Sequence, residues 1–275
     1  MSPGFLAVRA ARISGAASGL LSVALLLAPD GARAAEANPI HPTLLERYEP
    51  RVFTNAAGSR LNYRLFKPAP PDAANGALPP LVIFLHGAAG LGDDNARQFN
   101  GGNEVPPLAL IAPEAQQRFP CFVLAPQCPR GESWSSTGSR PAPALQRTLE
   151  ALQGLQREFR IDSRRVYVVG VSMGGRGVYE ALRRFPGVFA AAVPICAAGD
   201  ADWAGKFKQV PIWCFHGGAD TTVPVAYAHR MMAALRLLGA SPKYTEYAGV
   251  GHDSYRNAFR EPELLPWLFS QRLAL

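Results

Sequence analysis

The sequence predicts an α/β protein built on an open, mostly parallel sheet with helices on both faces. Three observations lead there. Short, continuously apolar runs recur along the 275 residues, amphipathic helical stretches separate them, and turn-forming residues mark the junctions. A strand that is apolar on both sides must be covered on both sides, as in a parallel sheet between helix layers.

In chain order, residues 1–34 read as a targeting segment. Arg9 and Arg12 form a basic start, residues 20–28 are apolar, and Ala32-Arg33-Ala34 gives an A-x-A cleavage pattern. The apolar run is too short for a comfortable membrane-spanning helix, and no later segment reaches the required length. A protein exported to the periplasm or the medium, starting near Ala35 and without a stable membrane anchor, is the expectation; an uncleaved anchor is the alternative. Residues 35–50 are polar and proline-containing and read as a surface arm. The catalytic domain is expected over 51–275.

Within that domain, 51–54 and 61–67 read as a hairpin joined by Asn55-Ala56-Ala57-Gly58. The prolines of 68–80 make that stretch a loop. Residues 81–85 are then apolar throughout and end at His86-Gly87, and the same kind of run recurs at 121–125, 166–171, 190–195 and 211–215. Between the runs, 144–159 places Leu145, Leu149, Leu152, Leu155 and Phe159 at helical spacing, and 177–185 and 225–238 behave alike. Residues 243–247 read as a last strand and 263–273 as a closing helix.

Composition narrows the function classes. With 48% hydrophobic and 18% charged residues, the chain can bury a sizeable core. The formal net charge is +7, of which the leader holds +2 (Arg9, Arg12 and Arg33 against Asp30). No basic run and no aromatic-basic interleaving marks a nucleic-acid face. Cys121, Cys128, Cys196 and Cys214 form an even set that permits disulfides in an exported chain, with buried small hydrophobes as the other reading. None has metal-site spacing.

The chemistry concentrates in a few segments. Gly170-Val171-Ser172-Met173-Gly174 fits G-x-S-x-G between a buried strand and a helix, where a sharp turn exposes the serine oxygen and requires small neighbours. Ser172 is therefore the candidate nucleophile. Of the five histidines, His252 lies in a glycine-containing loop after the last strand, which suits a general base. His86 and His216 each end a buried strand as His-Gly, which suits packing and backbone bonding. Asp220, in His216-Gly217-Gly218-Ala219-Asp220, follows a strand and lies between the other two in the order Ser…Asp…His. Asp200 and Asp202 compete for the role of orienting acid. The backbone N–H groups of Met173 and Ala88 are the candidate oxyanion donors, Ala88 because His86-Gly87-Ala88-Ala89-Gly90 lets the backbone approach closely. Asp93-Asp94 reads as a cap for the following helical turn.

Taken together, Leu85-His86-Gly87-Ala88-Ala89-Gly90, Gly170-Val171-Ser172-Met173-Gly174-Gly175, His216-Gly217-Gly218-Ala219-Asp220 and Gly251-His252-Asp253 resemble the α/β-hydrolase superfamily. Within it the chain is similar to the phospholipase/carboxylesterase and polyhydroxybutyrate-depolymerase-like esterases, a group with members called predicted peptidases. Ala125-Pro126-Gln127-Cys128-Pro129 with Trp134 downstream adds to the likeness, which spans roughly residues 50–270. The resemblance implies an α/β-hydrolase fold with an eight-stranded, mostly parallel sheet, a Ser172–His252–Asp220 esterase, and neither a metal nor an organic cofactor. Only 197–210 separates the two strands between which relatives insert a lid, so no large cap domain is expected. An open cleft would suit aryl or acetyl esters, small or linked to polysaccharide, and Trp134 is a candidate pocket wall with core packing as its alternative. A serine peptidase of the prolyl-oligopeptidase type and a non-catalytic hydrolase-like binding protein are the competing readings.

Overall fold

The hairpin turn opens the sheet. Asn55 Oδ1 accepts the N–H groups of Ala57 (3.1 Å) and Ser59 (2.9 Å), and Gly58 takes φ +79°, a left-handed conformation that a side chain would strain. The computed structural model describes residues 40–70 and 77–274. The targeting segment read at 1–34 lies outside them. Among the described residues the strands are β1 (Glu49–Thr54), β2 (Arg60–Phe66), β3 (Leu81–Leu85), β4 (Phe122–Pro126), β5 (Val166–Val171), β6 (Ala191–Ile195), β7 (Trp213–Gly217) and β8 (Lys243–Tyr247). They form one sheet in the order β1-β2-β4-β3-β5-β6-β7-β8. The β1–β2 and β2–β4 pairings are antiparallel and the rest parallel.

The continuous apolar runs are explained by where they sit. Every residue of β3 to β7 is buried, whereas β1 alternates half-buried with exposed and β8 is partly exposed, as edge strands should be. Because side chains alternate along a strand, β3 sends Leu81, Ile83 and Leu85 into one apolar layer and Val82 and Phe84 into the other. The helices α4 (Pro143–Glu158), α5 (Met173–Arg184) and α6 (Ala226–Leu237) supply Leu145, Leu149, Val178, Leu182 and Met231 to the first layer.

The second layer corrects the sequence reading. Residues 42–48, read as part of a surface arm, instead begin with α1 (Pro42–Arg47), and Leu44 and Tyr48 are fully buried. Tyr48 Oη also donates to Pro107 O at 3.1 Å. Burying such a side chain is worth about 2 kcal/mol, enough to dock a short polar segment. Two further helices, α2 (Val105–Ile111) and α3 (Pro113–Arg118), carry prolines in their first turns. Proline is harmless there because the first N–H groups have no intrahelical acceptor. The sheet is closed by α7 (Tyr255–Ala258) and α8 (Leu264–Ser270), the latter shorter than the periodicity suggests.

Between β6 and β7 lies a single 3-10 turn, Ala201–Lys206, and no cap domain. The C-terminal ends of the strands are thus left open. The four cysteines are free and buried, and burial pushes each thiol up to about 12.

Candidate active site

Ser172 stands at the junction of β5 and α5 with φ 55° and ψ −114°, a conformation that costs a non-glycine residue about 1–3 kcal/mol. The surroundings hold it there. Its N–H donates to Ile195 O at 2.9 Å, and a methyl on Gly174 would run into the Leu85 carbonyl. Close passage of α5 over β3 is therefore possible only with glycine at that position.

The loop after β8 brings His252 over the serine. Gly249 takes φ +71°, and the loop is tied to the one after β7 by Gly218 N to Tyr247 O (2.9 Å) and Ala219 N to Val250 O (2.9 Å). His252 Nε2 lies 2.9 Å from Ser172 Oγ, and Nδ1 lies 2.8 Å from Asp220 Oδ2. The Asp220 carboxylate is fully buried, and its Oδ1 accepts the N–H groups of Thr222 (2.9 Å) and Val223 (2.8 Å). A carboxylate can only accept, so His252 carries its proton on Nδ1 and Nε2 is left to accept from the Ser172 hydroxyl. His216, also buried, donates from Nε2 to Val223 O at 2.8 Å and lies 3.4 Å from Asp220 Oδ2. It braces the turn that presents the carboxylate. Asp200 and Asp202, the competing acids, are elsewhere: Asp200 Oδ1 accepts the Asp202 N–H at 3.1 Å at the start of the 3-10 turn.

Two N–H groups are available to a developing oxyanion. Met173 is the first residue of α5 and Ala88 the first of the 3-10 turn Ala88–Gly90, so neither N–H has an acceptor within its own turn. A methyl built on Gly87 would meet Ser172 Cβ at 3.6 Å, which places the Gly87–Ala88 peptide beside the nucleophile. The preceding N–H, that of Gly87, is occupied by Asn103 Oδ1 at 2.6 Å. Asn103 is buried and anchors its own Nδ2 on Asn100 O at 2.6 Å, so it sets the path of this loop. Sequence reasoning missed it, since a lone asparagine in a loop has no periodicity to mark it. Gln127 is similar: it accepts from Asn95 N (2.6 Å) and donates to Asp94 Oδ1 (2.8 Å). Asp94 also caps the turn at Ala96 and Arg97, as its position implied.

Trp134 takes the core position, the alternative to a pocket wall. It is fully buried, donates Nε1–H to His86 O at 2.9 Å and meets the His86 ring edge-on, so it supports the loop after β3 from within the core and does not wall a pocket. Trp203, expected in the core, is only half-buried and carries the Arg183 guanidinium 3.8 Å from its ring centre.

His86 itself is a fully buried hinge between two loops. Its Nδ1 donates to Gly87 O (2.7 Å) while Nε2 accepts from Cys128 N (2.9 Å), and burial lowers its pKa from 6.5 to about 4. The imidazole is therefore neutral in the folded protein and titrates normally once unfolded. The stability this confers is complete above about pH 6.5, falls as the pH drops towards 4, and totals roughly 3 kcal/mol. Urea midpoints should fall over that window in the wild type, and His86→Gln should lose this share of the pH dependence.

The site is open: Ser172 is half-buried and the His252 side chain is 29% exposed. A cavity of about 360 Å³ lined by Lys208, Leu235, Lys243 and Trp267 lies at the opposite end of the strands. Among the described residues, no group of three or more His, Cys, Asp or Glu side chains is arranged to hold a metal ion, and no helix is long and apolar enough to cross a membrane.

Residues 130–262 match the model of the dienelactone hydrolase family. A bifunctional acetylxylan esterase/xylanase of Neocallimastix patriciarum is 32% identical over 146 residues, covering 51% of this chain and 19% of that protein. A probable carboxylesterase of Oryza sativa subsp. japonica is 23% identical over 62% of this chain and 80% of its own length. A solved thermostable esterase superposes with a TM-score of 0.78 at 34% identity, over 83% of this chain and 64% of that one. The chain thus spans about a fifth of the Neocallimastix patriciarum protein and under two thirds of the thermostable esterase. The acylaminoacyl peptidase of Pyrococcus horikoshii, at 17% identity and a TM-score of 0.59, shares the fold.

Proposed function

We propose that this chain, which has the α/β-hydrolase fold, is a serine esterase that cleaves carboxylic esters through Ser172, His252 and Asp220. The observation carrying this reading is the unbroken relay of 2.9 Å and 2.8 Å from Ser172 Oγ through the imidazole to a buried carboxylate. Ser172 Oγ attacks the ester carbonyl while His252 Nε2 takes its proton. Asp220 holds the resulting imidazolium, and the N–H groups of Met173 and Ala88 receive the oxyanion. Collapse of the intermediate expels the alcohol, which takes the proton from His252, and leaves the acyl group on Ser172. Water, deprotonated by the same imidazole, then releases the acid.

Acetyl or aryl esters, free or linked to polysaccharide, are the substrate class we favour. Two features support it: the likeness to a protein named an acetylxylan esterase/xylanase, and the short connection between β6 and β7, which leaves room for a bulky alcohol. Export fits that role, and the pattern at 1–34 supports it. The test is hydrolysis of p-nitrophenyl acetate and of acetylated xylan by the purified chain. Turnover of both agrees with the proposal; turnover of the aryl ester alone would restrict it to small esters. Cleavage of peptides in preference to either would replace it.

A further inference from the structure

We propose that Arg176 is the specificity-determining residue of this site, its guanidinium reading a carboxylate carried by the ester substrate. The inference rests on the esterase reading above and narrows its substrate class.

The face of α5 that carries Arg176 carries three other charged residues, Glu180, Arg183 and Arg184, at helical spacing. Three of the four account for one another. Glu180 is fully buried and takes Arg183 Nε at 2.7 Å and Arg184 Nε at 3.1 Å. The remaining arms of those arginines donate to the carbonyls of Ser136, Gly138 and Ser139, clamping the loop that follows β4. Arg176 has no such ion pair. Among the described residues no Asp or Glu oxygen lies within 4.0 Å of it, and neither Nη has an acceptor; only its Nε is used, donating to Ser135 Oγ at 3.0 Å.

Its position gives those unused N–H groups a chemical role. Arg176 N donates to Ser172 O at 3.0 Å, so it lies one turn beyond the nucleophile. Of residues 172–176, Ser172, Met173 and Arg176 are partly exposed while Gly174 and Gly175 are buried. Arg176 is thus partly exposed one turn from the nucleophile, and helix side chains lean towards the N-terminus, here the end that carries Ser172. It is framed by Ser135 from the loop after β4 and by Trp203 from the loop after β6, whose ring centre is 5.9 Å from Arg176 Cζ. A half-buried cation fixed by a hydrogen bond and an aromatic neighbour, with its outer N–H groups unused, is prepared for bidentate contact with a carboxylate. Partial removal from water strengthens that attraction and makes the unpaired cation costly without it.

The competing role is a pin: Arg176 merely holding Ser135. A ratio of two activities separates the roles, because a misplaced loop lowers both members of a substrate pair. One pair puts the charge on the alcohol, para-acetoxybenzoate against its neutral amide, para-acetoxybenzamide. The other puts it on the acyl group, phenyl hydrogen adipate against phenyl adipamate. In one pair the charged member should be favoured in kcat/KM by about tenfold or more, as a charge-assisted hydrogen bond would give. Arg176→Gln should bring that ratio close to one, and Arg176→Lys should keep part of it. A wild-type ratio near one in both pairs, or a ratio that Arg176→Gln leaves unchanged, overturns the proposal. Calorimetric titration of Ser172→Ala with benzoate and adipate gives a readout free of turnover. Binding that disappears when Arg176→Gln is added supports the assignment, and equal or absent binding in both proteins refutes it. If even the neutral esters are not hydrolysed, the esterase reading fails, and this titration still decides what Arg176 binds.

Discussion

Replacing Ser172 with Ala is expected to lower kcat/KM for p-nitrophenyl acetate by roughly ten-thousand-fold or more, and His252→Ala by a similar factor. The two losses should not add. Ser172 Oγ and His252 Nε2 are 2.9 Å apart, and in the proposed mechanism they act as one unit, since the hydroxyl is a poor nucleophile without a base. The double variant should therefore fall to about the same floor as either single one, a residual rate set by the Met173 and Ala88 N–H groups. Steady-state kinetics on the three variants checks this. Losses that multiply would mean that the two side chains act independently.

Asp220→Asn is the second large effect, expected to cost roughly ten-thousand-fold in kcat with little change in folding. The reason is a matter of proton positions. Oδ1 accepts the N–H groups of Thr222 and Val223, so an asparagine must keep its carbonyl there and turn its NH₂ towards His252. That NH₂ can only donate to Nδ1. The imidazole proton is then forced onto Nε2, where it faces the Ser172 hydroxyl and cannot accept from it. Asp220→Ala, which leaves Nδ1 without a partner and frees the ring, is expected to be less selective in its damage and to destabilise the turn at Thr222 and Val223 as well. Kinetics with thermal melts on both variants separates the two. A folded Asp220→Asn protein with near-normal kcat would mean that the carboxylate does not set the tautomer.

How much of this was legible in the sequence depends on whether a residue's role is local. The buried strands announced themselves because five or six apolar residues in a row, bounded by turn formers, suit a strand covered on both faces. Accordingly β3, β5 and β6 lie within a residue of the runs that predicted them. Ser172, Asp220 and His252 could be chosen because each sits in a short segment whose glycines and flanking strand define a loop at the same sheet edge. Proline misled the reading of α1, where it occupies the first turn and does not break the helix. Asn103, Gln127 and Arg176 were not legible, because their partners are 16 to 41 residues away and only the fold brings them together. Trp134 was ambiguous for the same reason. Whether an indole faces a cleft or a core depends on where its N–H finds an acceptor, and that acceptor, the His86 carbonyl, is 48 residues distant.

Labelling with a fluorophosphonate probe, read by peptide mass spectrometry, is the decisive experiment for Ser172 as the nucleophile. A single phosphonylated residue, Ser172, is expected, formed quickly in the wild type, slowly in His252→Ala and Asp220→Asn, and not at all in Ser172→Ala. An unlabelled wild-type protein that melts cooperatively, or a label on any other residue, would contradict it.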